Sequence, residues 1–110
     1  TRALDWVLQN RSTYNITAVN LSLGDGGNYT ADPSSNDSVR QRFASLRTAG
    51  VAVCVAAGNS FYNLGSRQGM GYPAICRESI SVGAVYDANL GRVSYGGGAI
   101  AYSTGPKLIT

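Results

Sequence analysis

The sequence predicts an α/β fold with a partial doubly wound, mostly parallel sheet and flanking helices. Residues 51–57 are an unbroken run of small or β-branched apolar residues, the pattern of a strand covered on both faces. Residues 19–57 follow the order strand, loop, helix, strand, which predicts a right-handed βαβ unit with parallel strands. We therefore expect helices packed against a buried sheet.

The first two elements are a helix and a strand. Apolar side chains recur at helical spacing over residues 3–9 and predict the helix. Residues 16–23 then alternate between apolar and polar side chains, which predicts a strand that ends at Gly24.

A surface loop and a second helix follow. Residues 25–36 are rich in Gly, Asp, Asn, Ser and Pro, and this composition predicts the loop. Asn36 or Asp37 supplies the cap of the helix, and Gly50 is its expected end, because glycine often terminates helices. The apolar face of this helix consists of Val39, Phe43 and Leu46.

The remainder of the chain is predicted to contain strands and loops. A loop runs from Asn59 to Gly71, and residues 80–85 predict a third strand. Residues 92–95 and 100–102 predict a hairpin around three glycines. No closing element is predicted after the hairpin.

Composition limits the domain organisation and the classes of function. The 110 residues are 44% hydrophobic and 14% charged, which predicts one globular domain over residues 1–110. The nine Lys and Arg residues are scattered, so no nucleic-acid partner is predicted despite the net charge of +3. No apolar stretch reaches the roughly 18–20 residues of a membrane span, so no membrane partner is predicted either. The lack of histidine removes the commonest general base and zinc ligand.

Cys54 and Cys76 have two interpretations. They can form a disulfide if the strand that contains Cys54 neighbours the strand that follows Cys76, which would indicate an oxidising compartment. Alternatively, both are free thiols that pack as small apolar side chains. The sequence leaves the two interpretations open.

The candidate site lies where residues 51–57 end in Gly58 and Asn59. Ligands of open parallel sheets gather outside the carboxyl ends of the strands. The Asn59 amide has two donors, and Gly58 allows a close approach of backbone or ligand, so a developing negative charge can be stabilised here. Alternatively, Asn59 only caps a turn, since asparagine tolerates left-handed conformations.

Four short blocks carry a family resemblance. They are Val19-Asn20-Leu21-Ser22-Leu23-Gly24, Val55-Ala56-Ala57-Gly58-Asn59, Tyr72-Pro73-Ala74 and Ile80-Ser81-Val82-Gly83-Ala84-Val85. In this order and spacing they resemble the central part of a subtilisin-like serine peptidase, with a match that weakens after Ser94. The resemblance implies an incomplete subtilisin-like fold, in which residues 1–110 are the central part of one catalytic domain. It also implies a secreted or extracytoplasmic serine endopeptidase as the parent protein.

The resemblance also assigns roles to single residues. Asn59 matches the asparagine whose side-chain N–H stabilises the oxyanion of the tetrahedral intermediate. The substrate backbone would add as a β-strand beside Ser22, Leu23 and Gly24. One wall of the primary specificity pocket would consist of Ala56, Ala57 and Gly58. Gly71 matches the floor of that pocket, where a small residue leaves room for a large substrate side chain, and the bond between Tyr72 and Pro73 is expected to be cis.

The catalytic triad is expected to lie outside this chain. The resemblance places the triad Asp and His before Thr1 and the nucleophilic Ser beyond Thr110, so the chain alone is predicted to be inactive and its parent to act on peptides or proteins. A weak calcium or sodium site of the family uses backbone carbonyls near Ala74, Cys76 and Ser79. Backbone ligands leave no side-chain signature, so no metal or other cofactor is assigned.

Two other functions stay open at this stage. One is a pseudo-peptidase module that binds peptide without cutting it, and the other is an unrelated doubly wound domain that binds a small molecule. The strand near Val19 is also expected to be an exposed sheet edge, which favours self-association.

Overall fold

The computed structural model describes residues 1–61, 63–86, 88, 91–94, 100–103 and 107–109. The described residues form helices and strands in the order α1 (Arg2–Asn10), β1 (Ala18–Leu21), α2 (Ser38–Thr48), β2 (Ala52–Ala56), β3 (Ile80–Val82), β4 (Ala84–Tyr86), β5 (Gly91–Ser94), β6 (Ile100–Ser103) and β7 (Lys107–Ile109).

The sheet that positions the candidate site has three parallel strands in the order β1-β2-β3. Leu21 lies opposite Val55, and Val55 lies opposite Ser81. β1 and β2 are joined through α2, which is the predicted βαβ unit. The prediction of a partial, parallel α/β fold is therefore confirmed.

The second helix begins and ends at the residues that the sequence indicated. The Asp37 carboxylate is its cap and accepts hydrogen bonds from the backbone N–H groups of Val39 and Arg40, at 3.0 and 2.8 Å. After the last helical residue, Gly50 has a φ of +76°, a conformation that costs glycine little. The side chains of Phe43 and Leu46 are fully buried.

The core lies on one face of this sheet, which we call the covered face. Val19, Leu21, Val53 and Val55 belong to this face, and α1 and α2 pack against it. The buried residues of the core are Leu4, Phe43, Leu46, Val51, Val53, Val55, Ala74 and Cys76.

The opposite face, which we call the open face, carries Asn20, Cys54, Ala56, Ile80 and Val82. The side chains of Ile80 and Val82 are 54% and 53% exposed. The unbroken apolar run of β2 predicted cover on both faces, and within the described residues only one face has it.

Two strands differ from the predicted bounds. The strand expected over residues 16–23 is formed only at Ala18–Leu21. The last pair between β1 and β2 is Leu21 with Val55. Just after β2, the Ala57 N–H donates to Val82 O of β3, and the Ala57 carbonyl accepts from the N–H of Gly71. Residues 22–24 therefore continue past the end of the sheet.

The strand expected over residues 80–85 is divided at Gly83. β3 pairs with β2, whereas β4 pairs antiparallel with β7. Val82 lies opposite Ala56, the last residue of β2, so the chain beyond it has no partner left in that sheet. β7 was not predicted from the sequence. The predicted hairpin is confirmed by the antiparallel pairing of β5 with β6, and its glycine turn lies outside the described residues.

Cys54 and Cys76 are free thiols, which decides between the two interpretations of the sequence. Neither described helix has the length and apolar character that crossing a bilayer requires.

Candidate functional site

The predicted site residues gather at one edge of the parallel sheet. Ser22, Leu23 and Gly24 follow β1 directly, and Ala57, Gly58 and Asn59 follow β2. Because β1 and β2 are adjacent and parallel, their carboxyl ends meet at this edge. Ala56 is the last residue of β2 and is half-buried on the open face.

Asn59 is exposed, and its side chain forms no hydrogen bond with any described residue. Its amide donors therefore point to no acceptor of the described chain. An Asn that capped a turn would bond to the nearby backbone, so the capping interpretation has no contact in its favour.

Gly58 and Gly71 bring the chain segments on either side of the site together. Gly58 has a φ of +110°, and a Cβ added to it would lie 3.3 Å from the backbone nitrogen of Gly71. The Gly71 N–H donates to the Ala57 carbonyl at 2.8 Å. Gly71 is buried, and an added Cβ would meet Ala57 O at 3.5 Å and Gly27 O at 3.7 Å. The candidate floor residue therefore packs against the backbone of both neighbouring loops.

Leu23 and Gly24 present free backbone groups at the end of β1. Both residues are exposed, with Leu23 57% exposed, and their backbone groups form no hydrogen bond with any described residue. Ser22 is held locally, because its hydroxyl accepts a hydrogen bond from the Asn20 side chain at 3.0 Å. An extended peptide can pair with an unpaired segment of this kind.

Asp25 fixes the loop that follows Gly24. Its carboxylate accepts hydrogen bonds from the Tyr29 hydroxyl at 2.7 Å, the Gly27 N–H at 2.9 Å and the Tyr72 N–H at 3.1 Å. The Tyr29 bond, followed by the Gly27 bond, holds the pKa of Asp25 below its usual value. The hydrogen bond to the Asp25 carboxylate, followed by the charge of that group, raises the pKa of Tyr29. No role was predicted for Asp25, whose local sequence indicates only an Asp-Gly-Gly turn.

The Tyr72–Pro73 peptide bond is cis, as expected. The Tyr72 hydroxyl donates to the Asp37 carboxylate at 2.9 and 3.1 Å, which joins this turn to the start of α2. Burial, followed by the Asp37 hydrogen bond, raises the pKa of Tyr72 to about 12.

Two hollows lie beside the strand ends. One, of about 340 Å³, includes Leu23, Gly24 and Asp25 in its lining. The other, of about 820 Å³, includes Ala57 and Met70 in its lining. Gly58 and Asn59 line neither hollow, so the eight predicted residues share an edge of the sheet but not one cavity.

Two of the carbonyl groups expected near a cation, those of Ala74 and Cys76, take part in local hydrogen bonds. The Ala74 carbonyl accepts hydrogen bonds from the hydroxyls of Ser79 and Ser81. The Cys76 carbonyl accepts from the N–H of Ser79 at 2.9 Å and from its hydroxyl at 2.8 Å. The Ser79 hydroxyl has one hydrogen and can serve only one of these two carbonyls at a time, so a lone pair stays free and the cation site is neither supported nor excluded.

Comparison with known proteins finds a family whose sequence model matches this chain. The sequence model of the subtilase family matches residues 2–107. The chain is 35% identical over 92 residues to subtilisin DY of Bacillus licheniformis, a match that covers 84% of this chain and 29% of that protein. The chain therefore spans less than a third of the length of this curated relative.

Proposed function

Because the chain belongs to the subtilase family, we propose that it is part of the catalytic domain of a serine endopeptidase and supplies its oxyanion donor. The observation that carries the proposal is Asn59: an exposed amide at the carboxyl end of β2, without a hydrogen bond to the described chain. A donor that has no competing acceptor is available to a substrate.

The chemistry assigned to Asn59 is electrostatic. When a nucleophile attacks a peptide carbonyl, the oxygen gains negative charge that it lacks in the substrate. A donor fixed in advance stabilises this charge in the transition state more than it stabilises the substrate, and this difference increases the rate. The chain contains no histidine. We therefore assign the nucleophile and its base to other parts of the protein and expect the chain alone to be inactive.

The substrate is a peptide or protein, bound at the same edge of the sheet. The free backbone of Leu23 and Gly24 supports addition of the substrate as a β-strand beside residues 22–24. Ala56, Ala57 and Gly58 would form one wall of the pocket for its side chain, with Gly71 at the floor. No step uses a metal, and subtilase membership supports a secreted or extracytoplasmic location.

Replacement of the Asn59 donor tests the proposal. In the full-length protein that contains this chain, we expect Asn59→Ala to lower kcat by about 10²–10³-fold, the effect of removing such a donor from a subtilisin. KM should change little, because the donor acts on the transition state. Asn63, exposed in the same loop, provides the matched control, and Asn63→Ala should leave both constants unchanged. Equal activity of the Asn59 and Asn63 variants would contradict the assignment.

A covalent label tests the location of the nucleophile. A fluorophosphonate should modify the full-length protein at a serine outside residues 1–110, as peptide mapping after digestion would show. Labelling of a serine within these residues would overturn the assignment. Peptide binding with neither labelling nor turnover would favour the pseudo-peptidase instead.

A further inference from the structure

The loop after β1 is tied to the loop after β2, far from it in the chain. We call residues 25–30 the strap. The Ser60 hydroxyl donates to the Gly26 carbonyl at 2.7 Å, and the Asn28 side-chain amide donates to the Arg67 carbonyl at 2.6 Å. Tyr29 and Met70 exchange two backbone hydrogen bonds, at 2.7 and 2.9 Å. The strap belongs to the loop after β1 and is hydrogen-bonded to the loop after β2. Both loops border the candidate site.

One of these contacts adjoins Asn59. The backbone before Asn59 is held by the bond from the Gly71 N–H to Ala57 O and by the close packing of Gly58 on Gly71. The backbone after it is held through Ser60, which is half-buried and bonded to Gly26. The Asn59 side chain has no hydrogen bond to the part of the chain that the structure describes, so its direction depends on its two neighbours.

We propose that Ser60 is a positioning residue that holds the Asn59 amide in the direction of the oxyanion; this inference rests on the function proposed above. A donor stabilises a developing charge only when its geometry is fixed before the reaction. Gly58 has wide backbone freedom. After Asn59, the Leu64 N–H bonds to Ser60 O within the same loop, whereas the Ser60 hydroxyl bond ties this backbone to the strap. The Ser60 hydroxyl is bonded to the Gly26 carbonyl, and in this role it acts through Asn59.

The test compares three variants of the full-length protein that contains this chain. Ser60→Ala removes the bond to the strap, and we expect kcat to fall by about 5–10-fold with KM little changed, as the loss of one hydrogen bond would give. Ser60→Thr keeps the hydroxyl and should restore most of kcat. Asn28→Ala removes a contact of the same strap further from Asn59 and should leave kcat unchanged.

A double variant separates positioning from a general loss of structure. If Ser60 acts through the Asn59 donor, Ser60→Ala should lower kcat no further once Asn59 is alanine. If Ser60→Ala lowered kcat by the same factor in the Asn59→Ala variant as in the unmodified protein, the inference would be overturned. Equal effects of Ser60→Ala and Asn28→Ala on kcat would also overturn it. If Asn59→Ala reduces kcat but Ser60→Ala does not, only the positioning role fails. If Asn59→Ala itself has no effect, the proposed function fails.

Discussion

The surroundings of Cys76 determine the reactivity of its thiol. Its side chain is 1% exposed, and burial is the largest cause that raises its thiol pKa from 9.0 to about 11. The carboxylates of Asp37 and Glu78 act in the same direction. Since only the thiolate is nucleophilic, its fraction at pH 8.5 is about 100-fold lower than at an ordinary cysteine.

We expect Cys76 to resist alkylation in the folded protein. With iodoacetamide at pH 8.5, mass spectrometry should find Cys76 unmodified, and unfolding in denaturant should make it reactive. The intact mass under non-reducing conditions should correspond to two free thiols. Rapid modification of native Cys76, or a mass lower by two hydrogens, would contradict this expectation.

Single residues also show where the sequence is informative. Asn59 could be selected because it follows an unbroken apolar strand and matches a family motif. Ser60 and Asp25 could not, because their roles depend on partners 34 and 47 residues away, Gly26 and Tyr72. A serine in a polar loop has the same local pattern whether it faces solvent or bonds across the site.

Among the secondary-structure elements, α2 carries two arginines in different environments. Arg40 Nε lies 3.1 Å from both carboxylate oxygens of Glu78, and the two side chains are 11% and 15% exposed. Arg42 Nε lies 2.9 Å from Asp5 on α1, with side chains that are 31% and 39% exposed. The contacts have similar lengths, but Arg40 is less exposed and also donates to the Pro33 carbonyl and lies 3.9 Å from the Asp32 carboxylate.

We expect the two arginines to contribute differently to stability. Arg40→Ala should lower the free energy of unfolding by about 3 kcal/mol, because it leaves the Glu78 carboxylate without its closest partner in a largely buried place. Arg42→Ala should cost less than about 1 kcal/mol, since water screens an exposed pair. Denaturant unfolding of the full-length protein would measure both values. Equal losses would show that burial does not decide the outcome.

Local signals predicted the bounds of α2 but not those of the strands. Asp37 and Gly50 act on their own backbone, so a helix cap and a helix end can be recognised from a few neighbouring residues. The break at Gly83 depends on where β2 ends, and β4 depends on the arrival of residues 107–109. The end of a strand depends on partner strands that are distant in the sequence. It therefore cannot be predicted from a short stretch of neighbouring residues.

At the scale of the molecule, the described part of the parallel sheet has two edge strands, β1 and β3, and one uncovered face. Among the described residues β1, like β3, pairs with β2 alone, so one side of the β1 backbone is open to pairing with another strand. The open face exposes Ile80 and Val82, whereas helices usually cover both faces of parallel sheets. The isolated chain therefore has two surfaces that favour association.

We propose that the isolated chain of 110 residues self-associates through the β1 edge. Light scattering over a series of concentrations should show a mean mass that rises above that of the monomer. The double variant Ile80→Ser and Val82→Ser makes the open face more polar but leaves the β1 backbone unchanged, so association should persist. Its loss would assign the contact to the open face. A monomer at the highest concentration would contradict both routes, because neither an unpaired edge nor an apolar face would then suffice to join two copies.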